Sequence, residues 1–562
     1  MSRSAEAMQK IRPYAPAFFL VLAVAAGGLR SPAGWLAFGA VFLLWTALSP
    51  RGFSSAGLTA PVLFFSWLAA AALFSPSPAV SLSVFSRYAV FGLLFFYAAS
   101  SEEGGSGWLV AVSGLGAAAA MIFIFQRISG HGPTGFIGVN PNYSAAFCAA
   151  AFPAAVLALS GTAGKKEKNY YSALALLLAA GIYVSLSRGA ALAAFLSAAA
   201  GLGFTRRWKW LAALFAVALA VAAFLPAAGL EGLFKFSDPR AFERPRLWGT
   251  ALEAAAARPL LGWGPGLFGN VFEIFKFPYS DGISFYGHSA LHAHSEILNL
   301  AAEAGFPAAL FFLLTAAAAL VSDGRCEAKF SVRSAIQREQ ENKKKLPLKL
   351  CALAVLIQGG TDMVFYSGAV ALLFWGSLGF SAGGDPALPV PPGGRIKIAL
   401  LALCFAGLAL APAAAFLTRK QFFIARPYYK EQSGQNRALM LALARSSALD
   451  RPKDPFAAAD EGRAFAAAGD IAGAGAAFGR ALSLEPGFAG ARLGLALVYA
   501  ASRRVEACAE LARLGKSPAA APRNPYQRGL VYFDRPVAEK LKKDLCRKKK
   551  TGAAIASHRL TR

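Results

Sequence analysis

Three histidines, His288, His292 and His294, fall within seven positions of a chain that contains five in all. Imidazole exchanges protons near neutral pH, so a histidine in a polar loop is a candidate general acid or base. His292 and His294 form an HxH pair with Glu296 two residues on. On a strand that spacing would aim both rings at one face, as a metal site needs. The following SEILNLAAEAG reads as helix, where residues two apart diverge by about 200°. No cysteine or carboxylate cluster completes a ligand set, so no metal is expected. A histidine with a purely structural role at the interface is the plain alternative.

Two arginines join the histidines. Arg188 sits in SLSRGAAL at the boundary of two apolar runs, and Arg246 sits in ERPRLWGTAL. A guanidinium at membrane depth is costly and marks a pathway or an anionic ligand, unless it snorkels to the interface. Two forks on one surface suit a phosphate-rich ligand, because each donates two parallel bonds to phosphate oxygens. The glycines of GWGPGLFG (Gly262, Gly264, Gly266, Gly269) imitate a dinucleotide fingerprint. No strand precedes them, so nucleotide binding is rejected and tight turns are the reading.

The elements that position these residues are membrane spans. The 562-residue chain is 56% hydrophobic and 15% charged, with a mean hydropathy of +0.47. A soluble chain averages roughly 25% charged. Apolar runs lie at 14–29, 34–49, 57–75, 80–99, 107–128, 143–162, 171–187, 189–204, 210–228, 302–321, 348–363, 366–382 and 397–417. The first leads straight into the next, which argues against a cleavable signal peptide. The net charge of +27 fits cytoplasmic loops and anionic lipid heads. No recognition module accompanies it, so no nucleic-acid partner is expected.

Basic clusters at Arg3/Lys10/Arg12, Lys165–Lys168, Arg206–Lys209 and Arg325–Lys349 are separated by six, two and two runs. Even counts put all four on one face, the cytoplasm. Asn142, Arg188 and the 229–301 loop then share the opposite face. Arg419, Lys420, Arg426 and Lys430 run against the outside placement that thirteen spans give the C-terminal region.

The expected fold is therefore all-α: a polytopic membrane protein of about 12–13 transmembrane helices with a large periplasmic loop, then a soluble helical-repeat domain. Its divisions are N-terminal spans at 1–228, a site-bearing loop at 229–301, C-terminal spans at 302–417, helical repeats at 437–515 and a basic tail at 535–562. Residues 456–514 resemble tetratricopeptide repeats through Ala466, Gly469, Asp470, Ala477, Ala481, Leu482, Pro486 and Leu493, at a period of about 34. An Ala-rich bundle without a groove is the alternative. Cys508 and Cys546 could bridge outside the cytoplasm, though nothing in the sequence demands it.

Four features together resemble the O-antigen ligase and polymerase superfamily of membrane glycosyltransferases. These are GVNPNYSAA (138–146), the Arg188…Leu192 spacing, RLW…PLLGWGPGLF, and His294-Ser295 followed nine residues later by Gly305. Where the family favours Gly, Thr or Tyr, this chain has Ala308. The resemblance spans about residues 80–385 and excludes the repeat region. It implies glycan transfer from undecaprenyl pyrophosphate to an acceptor on the periplasmic face of a bacterial inner membrane, without metal, ATP or another cofactor. Arg188 and Arg246 would hold the pyrophosphate, and His294 would orient or deprotonate the acceptor. Asn142, Glu303 and Asp362 would bind or orient substrate. The acceptor could be a glycan, a lipid or a protein, corresponding to ligase, polymerase or protein O-oligosaccharyltransferase. Membrane lipids, and a protein met through the repeats, are the other expected partners. A transporter would show charges inside spans and paired broken helices, and Arg87 is a partial match. A scaffold would need neither Arg188 nor the histidine loop.

Overall fold

The computed structural model describes residues 12–48, 59–101, 104–138, 140–224, 243–279, 284–321, 332–382, 437–514, 522 and 525–546. Every regular element among them is helical, because backbone groups in a bilayer must be satisfied within the segment itself. Twelve of the thirteen apolar runs coincide with helices, and the thirteenth, 397–417, lies outside the described residues, as does the tail beyond 546. Among the described residues four helices are long and apolar enough to cross a membrane, with shorter apolar helices before, between and after them. The protein is a multi-pass membrane protein.

Two compact units divide the chain. One comprises Met1–Phe268 and His292–Phe416, the other Gly269–Leu291 and Leu417–Arg562. The membrane unit contains α1 (Ala15–Ala25), α2 (Pro32–Leu48), α3 (Thr59–Leu73), α4 (Pro78–Ala99), α5 (Gly104–Ile128), α6 (Pro141–Gly161), α7 (Lys165–Ser185), α8 (Arg188–Phe204), α9 (Trp208–Phe224) and α10 (Arg244–Ala257). After α11 (Phe268–Phe275) it resumes with α12 (Glu296–Val321), α13 (Val332–Thr361) and α14 (Gly368–Ala382). Helix α6 packs on α5, α7, α8 and α13, and α14 packs on α4 and α13. Fully buried Trp375 centres the core among the rings of Phe64, Phe65, Phe95, Phe312 and Phe374. Within 229–301 the described residues hold α10, α11 and the start of α12.

Helix α12 is broken at Gly305, whose φ of 83° and ψ of 168° are non-helical. A side chain there would place Cβ 2.0 Å from the Leu260 carbonyl oxygen. Pro307 has no N–H to continue the ladder. The break leaves carbonyls open, and the glycine-rich loop uses them: Trp263 N–H donates to Ala302 O at 3.1 Å and Gly264 N–H to Glu303 O at 2.7 Å. Phe306 N–H returns a bond to Pro259 O at 2.9 Å, and Trp67 Nε1 donates to Leu260 O at 3.0 Å. Histidine loop and glycine-rich loop are therefore fixed to one helix.

The second unit contains α15 (Arg437–Asp450), α16 (Pro455–Ala468), α17 (Ile471–Leu484), α18 (Ala489–Tyr499), α19 (Arg504–Arg513), α20 (Pro525–Val531) and α21 (Arg535–Cys546). From α15 to α19 each helix packs on the next. Gly462 and Gly494 lie against the Phe478 ring, where a Cβ would come within 2.9 and 2.5 Å of it. Asp454 and Asp470 cap α16 and α17 by accepting from Phe456 N–H and Gly473 N–H. Cys508 and Cys546 form a disulfide, their Cα atoms 5.7 Å apart.

Segment 269–291 folds as part of this unit. A single Glu485 oxygen, Oε2, accepts from the N–H groups of Phe285, Tyr286 and Gly287 at 2.6, 3.1 and 2.9 Å. Lys276, with no exposed surface, binds Glu273 at 2.6 Å and faces Asp454 at 3.9 Å. Burial pushes the Glu273 carboxyl above its usual range, against the pull of Lys276.

Candidate functional site

Asp362 gathers the candidate site in the membrane unit. It follows the last residue of α13, and its backbone turn is held by its own carboxylate, Oδ1 accepting from Met363 N–H at 2.9 Å. The same Oδ1 lies 3.0 Å from His294 Nδ1. Oδ2 accepts from Asn142 Nδ2 and lies 3.6 Å from Arg244 Nη2. Burial by itself would raise this carboxyl, but the His294 hydrogen bond, the Arg244 and His294 charges and the Met363 amide outweigh it and hold it below the ordinary value of 3.8. Asp362 is therefore an anion at neutral pH, and His294 Nδ1 is the donor. The remaining nitrogen, Nε2, carries the lone pair whenever the ring is uncharged.

Each partner arrives for a local reason. Asn140 caps α6 by accepting from Asn142 N–H at 3.0 Å, with Pro141 in the first turn, a position Pro favours. That leaves the Asn142 side chain for Asp362, while Gln358 Nε2 donates to Asn142 O at 2.9 Å. Arg244 opens α10 and also donates to Thr361 O at 2.6 Å. His294 has φ of 52°, a left-handed conformation that costs a non-glycine residue about 1–3 kcal/mol and clusters at functional sites. Trp248 Nε1 donates to its carbonyl at 3.4 Å. Glu296, buried at the start of α12, accepts from Phe365 N–H at 2.6 Å and so ties α12 to the segment after Asp362.

His294, Asn142 and Asp362 thus meet, as three of the six residues singled out by sequence. Arg188 is the first residue of α8, behind a Ser187 cap. Its neighbour Gly189 lies against Thr361, a Cβ there being 3.2 Å from Oγ1. Arg246 is exposed on the helix that Arg244 opens. Glu303 serves the glycine-rich loop, its Oε1 accepting from Phe268 N–H at 3.1 Å. Arg244 is the residue that sequence reasoning passed over. ERPRLW holds two arginines, and residues two apart on a helix cannot face the same way.

His292 stands beside His294, ring centres 4.6 Å apart, and faces Tyr366 at 5.8 Å. Burial, then the His294 charge, lowers its pKa to about 4, so it is neutral at pH 7. His288 lies in the other unit among Phe272, Phe277 and Tyr279. Among the described residues no group of three or more His, Cys, Asp or Glu side chains could hold a metal ion.

An anionic carboxylate orienting a half-exposed imidazole, with an arginine on the same carboxylate, is equipped to take a proton from a hydroxyl beside a phosphate-bearing group. No curated protein matches the chain. Residues 173–313, which include Arg188, Arg244, Arg246, His294 and Glu303, match the family model described as O-Antigen ligase, so this central stretch, though not Asn142 or Asp362, is similar to a family of lipid-linked glycan transfer.

Proposed function

We propose that the protein transfers a glycan from an undecaprenyl-pyrophosphate-linked donor to an acceptor hydroxyl on the periplasmic face of the inner membrane. The Asp362–His294 pair carries this reading. His294 Nε2 takes the proton as the acceptor oxygen bonds to the anomeric carbon. The bond from that carbon to the pyrophosphate oxygen breaks, and lipid pyrophosphate leaves with the electron pair. Arg188 and Arg246, with Arg244 beside them in sequence, offset the charge building on it. Because the leaving group is already a pyrophosphate, neither ATP nor a metal is required. The acceptor is a glycan, a lipid or a protein, and we assign its choice to the C-terminal helices, read as a repeat domain. A transporter or scaffold would not need a carboxylate-oriented histidine.

The test is transfer by the purified protein with lipid-linked donor and a panel of acceptor classes, in EDTA and without ATP. Wild type should retain activity, and His294→Ala should lose about two to four orders of magnitude in turnover with donor affinity nearly intact, as for removal of an acid–base group. Loss of activity in EDTA, or equal loss from His292→Ala, would instead favour a metal site.

A further inference from the structure

Arg30 and Arg87 are placed by the fold in a way that the chemistry above does not use. Arg87 lies nine residues into α4, about 14 Å along its axis, and its guanidinium stands over the Trp35 ring at 5.7 Å. Arg30 precedes α2, donates to Ile137 O at 3.4 Å and stands over the Tyr143 ring at 5.7 Å. Among the described residues neither is joined to a carboxylate by an ion pair. Trp35 is in the first turn of α2, its N–H bonded to Ser31 O, so both guanidiniums stand near the same end of that helix. Chain neighbours tie them to the site: Ser367, next to the Tyr366 that faces His292, donates to Gly28 O at 3.2 Å, two residues before Arg30, and Asn142, next to Tyr143, donates to Asp362.

Among the described residues two donors here are buried without an acceptor, Arg30 Nε and Trp35 Nε1. Buried polar groups are nearly always bonded, and an arginine at membrane depth normally has an anionic partner. We propose that Arg30 and Arg87, standing over Tyr143 and Trp35, seat the diphosphate of the lipid-linked donor. Two guanidinium forks from separate elements suit two linked phosphates better than one. The depth of Arg87 selects a phosphate carried by a lipid over one free in water. The inference rests on the proposed transfer reaction and names the seat of its donor.

Equilibrium binding of undecaprenyl pyrophosphate to the full chain in nanodiscs tests it, with undecaprenyl monophosphate and phosphatidylglycerol as the other arms. Arg30→Gln and Arg87→Gln should each weaken diphosphate binding about tenfold or more, with the monophosphate affected less, and Arg87→Lys should recover only part of the loss because it lacks the fork. Thermal unfolding identifies a variant that misfolds, in which case Arg30→Gln, outside the helices, decides. Unchanged diphosphate binding in folded variants overturns the inference. So does a loss that appears only as altered phosphatidylglycerol binding, which would make the pair an anchor for bulk lipid. Failure of wild type to bind or use any lipid-linked donor would count instead against the transfer reaction itself.

Discussion

At the scale of single residues, the site is a set of claims on one carboxylate. Asp362 holds His294, Asn142 and Arg244, so Asp362→Asn keeps the volume but removes the charge that fixes the imidazole proton on Nδ1. The arginines separate the site from its sequence description. Arg244→Ala should lower turnover more than Arg246→Ala, because Arg244 binds the Asp362 carboxylate and the Thr361 carbonyl at the site. Steady-state kinetics on the two variants decides this, and the reverse order would place Arg246 at the reacting centre. His294 and Asn142 were legible through the motifs that resemble the glycosyltransferase superfamily, and Asp362 as a secondary candidate for orienting substrate. Arg244 was not, because only the helix phase at the start of α10 distinguishes it from its neighbour. Glu303, the other secondary candidate for orienting substrate, accepts from the Phe268 amide of the glycine-rich loop.

At the scale of elements, the spans were legible because an apolar run of span length has few options in lipid. The break in α12 was not, since His294, nine residues and a glycine give a spacing without a geometry. Gly305 marks where the glycine-rich loop enters the helix, with the Leu260 carbonyl occupying the space of a side chain. Gly305→Ala must therefore move Leu260 or straighten α12, and the backbone conformation alone costs about 1–3 kcal/mol in a non-glycine residue. A fall in melting temperature in detergent together with reduced transfer is the expected outcome. A variant as stable and active as wild type would show that the break is not needed to set the histidine loop. The disulfide had only a sequence possibility behind it, because nothing but the fold brings α19 and α21 together.

At the scale of the whole molecule, the two units cut across the order of the chain. Removing residues 437–515 would take away Asp454 and Glu485, leaving buried Lys276 with Glu273 alone and the amides of Phe285, Tyr286 and Gly287 without their acceptor. The deletion should therefore keep donor binding, lose transfer and make 269–291 sensitive to protease. Glu485→Ala should show a milder form of the same loss, since bonds to a charged acceptor are worth about 1.5–3 kcal/mol each. Transfer at the wild-type rate in the deletion would show that the segment holds itself. A disulfide persists outside the reducing cytoplasm, so if this unit is exoplasmic the Cys508–Cys546 pair should be oxidised in cells, and thiol labelling of both cysteines without a reductant would place the unit inside.

The Glu485 clamp also has a consequence in time. Phe285 leaves the ribosome 200 residues before the carboxylate that caps its amide, a wait of about 10–40 s at ordinary rates of synthesis. Until then segment 269–291, which runs directly into His292 and His294, is without its acceptor. The segment lies in the middle of the chain yet is completed only after Glu485 has emerged, so on the proposed reading a nascent chain already inserted in the bilayer holds His294 before the stretch leading into it is fixed.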